Sequence, residues 1–368
     1  MARALVMIPA GEVYDHDNVR WYRHTDVQGS INHYHNIGDA FVFESSLKLM
    51  NYEKASELPI TNFSPEKIDQ LREEYDYVIL RGSNYINKDM NWRGEIQLSE
   101  ETKAVLRMIA DSTVSVGVRG AYTAQVLNDI GIQNVRIIGC PTAFRRNNQH
   151  LRIKLPPLED VKQVGVTVRR EVSPAYAQDI EQYLTRHRDL IRTMAGRFDV
   201  TLMAQGEIEE KKMMFGTPEQ KEEAIEALKA HRWTADWYFD DEIENLYRHR
   251  MFYSDVVADY ENLVREQQLV LGYRLHGNLM ALANGIPSIY FTYDSRTAEF
   301  AETYKIPSYD VFSEKAFRLE DYWDQSLFDK YNRAWFETYA EMKQFLDENG
   351  VDNKMTDTGL PIAELKVA

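Results

Sequence analysis

The chain has 368 residues, and its 43 basic against 58 acidic side chains give a formal charge of -15, which excludes a broad nucleic-acid-binding face or a polybasic membrane patch. Hydrophobic residues make up 44% and charged residues 27%, as in ordinary globular proteins, and no apolar run reaches the roughly 18 residues that span a bilayer. The length exceeds what one hydrophobic core usually supports, so two domains are expected, and the single cysteine, Cys140, excludes an intrachain disulfide and a cysteine-rich zinc site.

The N-terminal segment MARALVMIPAGEVYDHD has one arginine and an apolar stretch too short for a secretory signal, so it reads as a first β-strand. With the lone cysteine suited to a reducing compartment, a cytoplasmic location is expected. In HYHNIGDAFVFESS, residues 33 to 46, a loop supplies Asn36, Gly38 and Asp39 ahead of a helix. Gly38 permits close backbone approach there, and Asp39 is either an N-terminal cap or a general base. His33 and His35 flank this loop without a third ligand at sensible spacing, so no metal is expected.

SPEKIDQLREEY, residues 64 to 75, reads as a helix opened by Ser64 and Pro65. The runs YVILRGS, VSVGVRG and NVRIIGC read as strands, the second followed by a helix, AYTAQVLNDIG, that ends at Gly131. Arg119 falls at a strand end before that helix, where it binds an anion, bridges the domains or caps its own sheet. The recurrent alternation of strand and helix predicts a parallel sheet.

Around residues 150 to 162, HLRIKLPPLEDVK, a proline pair and charges break the periodicity, which places a domain boundary there. The expected division is residues 1–155, residues 156–315, and a C-terminal helix and tail over 316–368 that packs back on the first domain. QVGVTVRR, DVTLMAQ, LVLGYRLHG and IPSIYFTYD read as strands of the second half. PAYAQDIEQYLTRHRDLIRTMAGRF, PEQKEEAIEALKAHRW, DDEIENLYRHRMFYSDVVADYENLVREQ and SLFDKYNRAWFETYAEMKQFLDENG read as helical. Residues 206 to 260 form a charged, solvent-facing elaboration, and the tail after Asn349 is expected to be loosely held.

GYRLHGNLMALANGIPSIYFTYD, residues 272 to 294, carries the strongest signal. Arg274 and His276 fall at the tip of a strand, with a helix starting by Gly277. Ligands of open α/β sheets sit outside the carboxyl ends of strands, where helix N-termini favour anions. Arginine grips planar anions bidentately, and histidine moves protons near neutral pH. Arg169 and Arg170 repeat the position after the strand that opens the second domain, and two such arginines can bracket a dianion. The alternative for Arg274 and His276 is a strand-end salt bridge and a helix cap.

Taken together, the N-x-GD loop of Asn36, Gly38 and Asp39, the VRG and LNDIGIQNVRIIGCPT block, the VTVRR strand end, and RLH followed by AxxxGIP and the turn of Tyr293 and Asp294 resemble the polysaccharide pyruvyl transferase family. The resemblance spans roughly residues 31 to 308. It implies two facing Rossmann-like domains, similar to the GT-B glycosyltransferases, with an interdomain cleft. It also implies an enzyme that transfers a pyruvyl group from phosphoenolpyruvate to a sugar of a polysaccharide or glycan precursor, forming a ketal, with phosphoenolpyruvate as co-substrate and no further cofactor. Carried over by motif, Arg274, Leu275 and His276 lie at the donor, with Gly277, Arg169, Arg170 and Arg119 on the donor side; Asn36 and Gly38 lie on the acceptor side, and His276 and Asp39 act as acid and base. The family's usual acidic residue after the arginine of the VRG block, Arg119, is Gly120 here, and its usual aspartate before the following proline is Cys140. The rival readings are a GT-B glycosyltransferase using a nucleotide sugar and a non-catalytic sugar- or phosphate-binding protein, and homo-oligomerisation stays open.

Overall fold

A computed structural model describes residues 3–8, 12–15, 18–21, 31–32, 36–52, 54–59, 64–80, 98–174 and 177–358. Strand β1 (Arg3–Ile8) is followed by a hairpin of β2 (Glu12–Asp15) and β3 (Asn18–Trp21). β4 (Lys54–Pro59) and β5 (Tyr77–Leu80) flank β1 in a parallel sheet of order β4-β1-β5, and β6 (Val116–Val118) pairs in parallel with β7 (Val135–Ile137). Helices join them, beginning where the sequence supplies caps: the Ser64 side chain accepts from the Lys67 amide with Pro65 in the first turn.

The second half builds a six-stranded sheet from β8 (Gln163–Thr167), β9 (Asp199–Met203), β10 (Met251–Phe252), β11 (Leu269–Gly272), β12 (Ser288–Thr292) and β13 (Ser308–Asp310). Their order is β10-β9-β8-β11-β12-β13, and every pairing is parallel. Every residue of β11 and β12 is buried, as befits central parallel strands covered on both faces. The protein is thus α/β with two Rossmann-like parallel-sheet units. Because the chain winds outward from β8 to β10 and then returns beside β8 as β11, the strand order reverses between β8 and β11. That reversal is where an open sheet forms its ligand crevice.

The halves are pinned by a buried cluster. The Arg145 guanidinium donates to both Glu261 carboxylate oxygens at 3.1 and 2.6 Å and to the Ser45 hydroxyl at 3.1 Å, joining the helix Ile37–Leu49 to the helix Val257–Glu266. The arginine beside it pulls the Glu261 carboxyl down to about 2, although burial alone would raise it.

Several sequence expectations change. The helix expected from Pro174 begins at Ile180, because the Asp179 side chain caps it by accepting from the Gln182 amide at 2.8 Å. The helix expected over residues 240 to 267 is cut by β10, whose Met251 and Phe252 pair with Leu202 and Met203 and so take their partners from the sheet edge. The tail after Asn349 is tied down as far as residue 358: the Lys354 amide donates to the Leu49 carbonyl at 2.8 Å and the Asn51 amide to Asp352 at 2.9 Å. The helix Gln325–Glu348 lies against β7, where Arg136 pairs with Glu341 and, at 2.8 Å, with Glu348. Expectations for Pro9, Ala10, Arg81 to Ser83, Ala175 and Tyr176 lie outside the described residues.

Candidate functional site

β11 delivers Gly272 and Tyr273 to the crevice, and Arg274 is the N-cap of the helix Leu275–Ala283 rather than the end of the strand. The Arg274 amide donates to the Thr167 hydroxyl at 3.1 Å and its Nε to the Val168 carbonyl at 3.1 Å, so this residue stitches the tips of β8 and β11 together at the reversal point. Its guanidinium forms an ion pair with Glu207, and both side chains are buried. Burial foremost, and this guanidinium's charge next, push the nearby His187 imidazole down to about 3, so His187 is neutral.

The other two arginines of the β8 tip are also engaged. Arg170 is buried with its Nε 3.0 Å from Glu210 and its Nη2 2.6 Å from Glu209. Burial alone would lower its pKa, but the Glu210 charge outweighs this and holds it above the ordinary arginine range. Arg169 donates to the Tyr293 hydroxyl at 2.8 Å, with its guanidinium carbon 5.4 Å from the centre of that ring. The structure therefore sets Arg169, Arg170 and Arg274 in a paired layer at the sheet's carboxyl edge. Leu275 is half-buried against the core, and an added side chain at buried Gly277 would meet Gln205 and Thr167.

His276 and Asp39 are brought together on a different surface. Both line a cavity of about 1890 Å³ between the halves, along with Arg119, Cys140, Arg296 and Glu299. Asp39 is in the first turn of the helix Ile37–Leu49, whose N-terminus is capped by the Asn36 side chain accepting from the Gly38 amide at 3.1 Å. The Ile37 amide donates to the Gln205 carbonyl at 3.0 Å, which seats this helix start on the β9 tip.

Gly38 lies directly against His276. A Cβ built there would stand 2.7 Å from His276 Nδ1 and 3.0 Å from its Cβ. Gly38→Ala is therefore expected to displace the imidazole, and for a side chain that takes part in turnover a misplacement of about 1 Å costs up to roughly a hundredfold in kcat. Steady-state kinetics beside a melting curve would check it; an unchanged kcat in a folded variant would show that the His276 position is not needed.

The same cavity is also lined by Arg119, after β6, and Arg296, in the first turn of the helix Ser295–Tyr304. Burial first and the Arg296 charge second lower the Arg119 pKa, with Glu299 opposing them. Burial also disfavours the charge of Arg296, but the Asp294 carboxylate, 3.1 Å from its Nη2, outweighs this and raises it. Cys140 is buried, its thiol is pushed up by that burial, and its amide donates to the Tyr304 hydroxyl at 2.7 Å.

Arg296 and Glu299 had not been singled out in the sequence. Arg296 lies in the first turn of the helix that follows β12, so the rule of a cation in the first turn beyond a parallel strand would have found it. Glu299 had no such signal, because only packing brings it to the cavity. His33 and His35 lie outside the described residues.

The sequence profile of the family described as "Polysaccharide pyruvyl transferase" matches residues 36–295. No curated protein matches the chain. Among solved structures, Anabaena Alr3699/HepE in complex with UDP and glucose aligns at 11% identity over 100% of this chain and 98% of that one, with a TM-score of 0.39. A glycosyltransferase from Rickettsia africae aligns at 12% identity over 95% and 94%, with a TM-score of 0.42, and S. aureus MnaA with UDP at 12% over 98% and 100%, with a TM-score of 0.34. No helix among the described residues is long and apolar enough to cross a membrane.

Proposed function

The chain belongs to the polysaccharide pyruvyl transferase family, and from that premise we propose that it transfers a pyruvyl group from phosphoenolpyruvate to a sugar hydroxyl pair in the cytoplasm, forming a ketal. The observation that carries this reading is that Asp39 and His276, from different halves of the chain, line one cavity whose wall also holds two guanidinium groups, Arg119 and Arg296. We take residues 1–155 as chiefly the acceptor side and 156–315 as chiefly the donor side, with each half also reaching across the cavity, as Arg119 does to the donor.

Phosphoenolpyruvate carries a phosphate and a carboxylate, and neutralising both calls for more than one cation. Arg119 and Arg296 line the cavity and take that task, while Arg169, Arg170 and Arg274 set the shape and field of the β8 and β11 tips behind it. His276, at the start of its helix, protonates the methylene carbon of the donor. The central carbon then becomes an oxocarbenium, which an acceptor hydroxyl oxygen attacks as Asp39 takes its proton. The oxygen of a second hydroxyl of the same sugar then attacks that carbon as the C–O bond to phosphate breaks, its proton leaves on the departing inorganic phosphate, and the cyclic ketal closes.

The test is a thermal shift with phosphoenolpyruvate set against one with nucleotide sugars, followed by phosphate release with a panel of glycans and nitrophenyl glycosides. A ligand at about 100 times its Kd stabilises the protein by about 2.7 kcal/mol. A shift with phosphoenolpyruvate and phosphate release that depends on an acceptor are expected. A shift with nucleotide sugars alone would replace this reading with glycosyl transfer.

A further inference from the structure

Resting on that reading, we propose that Glu299 is the side chain that selects the acceptor, holding a hydroxyl of the sugar in the cavity. Glu299 belongs to the helix Ser295–Tyr304 of the second half, yet its Oε1 accepts from the Thr123 amide of the first half at 2.9 Å. That amide is in the first turn of the helix Ala121–Asp129, where free N–H groups and the helix dipole favour a carboxylate. The contact fixes one oxygen of the carboxylate and so orients the other. Oε2 has no hydrogen-bond partner among the described residues, and the side chain lines the same cavity as Asp39 and His276.

Gly120 makes this arrangement fit. A Cβ built at Gly120 would fall 2.5 Å from Glu299 Cγ, 2.6 Å from its Cδ and 2.7 Å from its Oε1. The Gly120 backbone is extended, with φ -158, so any residue could adopt it; what a larger residue lacks there is space for Glu299. The absent side chain at 120 and the acid at 299 are two halves of one feature. An acid that the family's pattern places in the chain beside Arg119 is here delivered from the facing half.

A carboxylate in this setting accepts hydrogen bonds and donates none, so its natural ligand is a neutral group rich in hydroxyls rather than the anionic donor. Glu299 also supports the charge of Arg119, so the hydroxyl it holds lies beside the cation site of the donor.

The experiment uses the full chain and its Glu299→Ala, Glu299→Gln and Gly120→Val variants. Binding of p-nitrophenyl β-D-galactopyranoside, β-D-glucopyranoside and β-D-mannopyranoside is followed by saturation-transfer NMR, and the melting shift with phosphoenolpyruvate is recorded alongside. Wild type is expected to bind at least one glycoside. Glu299→Ala and Gly120→Val are expected to weaken that glycoside at least tenfold, and Glu299→Gln to fall between them and wild type, while the phosphoenolpyruvate shift stays at the wild-type value in all three.

Unchanged glycoside affinity in folded Glu299→Ala, a loss shared equally by the phosphoenolpyruvate shift, or no glycoside bound by wild type would each overturn the assignment. In those cases a wild-type phosphoenolpyruvate shift leaves the donor reading standing. The absence of that shift in wild type sinks the donor reading itself.

Discussion

Replacing His276 with alanine is expected to lower turnover by roughly a hundredfold to ten-thousandfold, the range that a positioned general acid contributes. The residue is half-buried at a helix start and packs against Gly38, so its loss removes little from the core. The melting temperature should stay within a few degrees of wild type, and the shift induced by phosphoenolpyruvate should persist, because Arg119 and Arg296 are untouched. Phosphate release in single-turnover and steady-state assays checks this. Full activity in a folded His276→Ala variant would remove His276 from the chemistry, and a lost phosphoenolpyruvate shift would make it a binding group rather than an acid.

Arg274→Ala is expected to act on stability first. The family resemblance puts this arginine at the donor, and the alternative reading makes it a strand-end salt bridge. In the structure it pairs with Glu207 in a site that water does not reach, and it bonds the Val168 carbonyl. Removing one partner of a buried ion pair leaves an uncompensated charge and costs about 3–5 kcal/mol. At about 2.1 cal/mol/K of unfolding entropy per residue, a chain of this size should lose roughly 4–6 °C in Tm.

The double variant Arg274→Met with Glu207→Gln separates the two roles. It should recover much of the lost stability, since no charge is left without a partner. If the recovered protein also regains the phosphoenolpyruvate shift, the arginine served the fold; if the shift stays absent, Arg274 also holds the donor. A Tm unchanged in the single Arg274→Ala variant would contradict the buried pair.

Arg170 illustrates the same difficulty of reading arginines from sequence. The spacing VTVRR shows that two cations leave the tip of β8, but not that Glu209 and Glu210 of the following unit close on the second of them. Partners forty positions away are invisible to a local pattern. Asp39 and His276 show the opposite outcome: the sequence places Asp39 at a helix start and His276 at a strand tip, the fold moves His276 into the first turn of the helix Leu275–Ala283, and both line one cavity.

What the sequence by itself determined was local. Alternating apolar runs and capped helices set the α/β class and most strands, because a parallel strand buried on both faces must be apolar throughout and a helix start must satisfy its free amides. Strand-tip rules marked Arg274 and His276 as neighbours of a crevice. Only tertiary structure decided which cations are neutralised by buried acids, that Met251 and Phe252 join the sheet edge in the middle of a helical pattern, and that Glu299 reaches the space left by Gly120. These depend on the packing of segments far apart in the chain, where charge pairing and steric fit are settled by distance in space and leave no periodic trace in the order of residues.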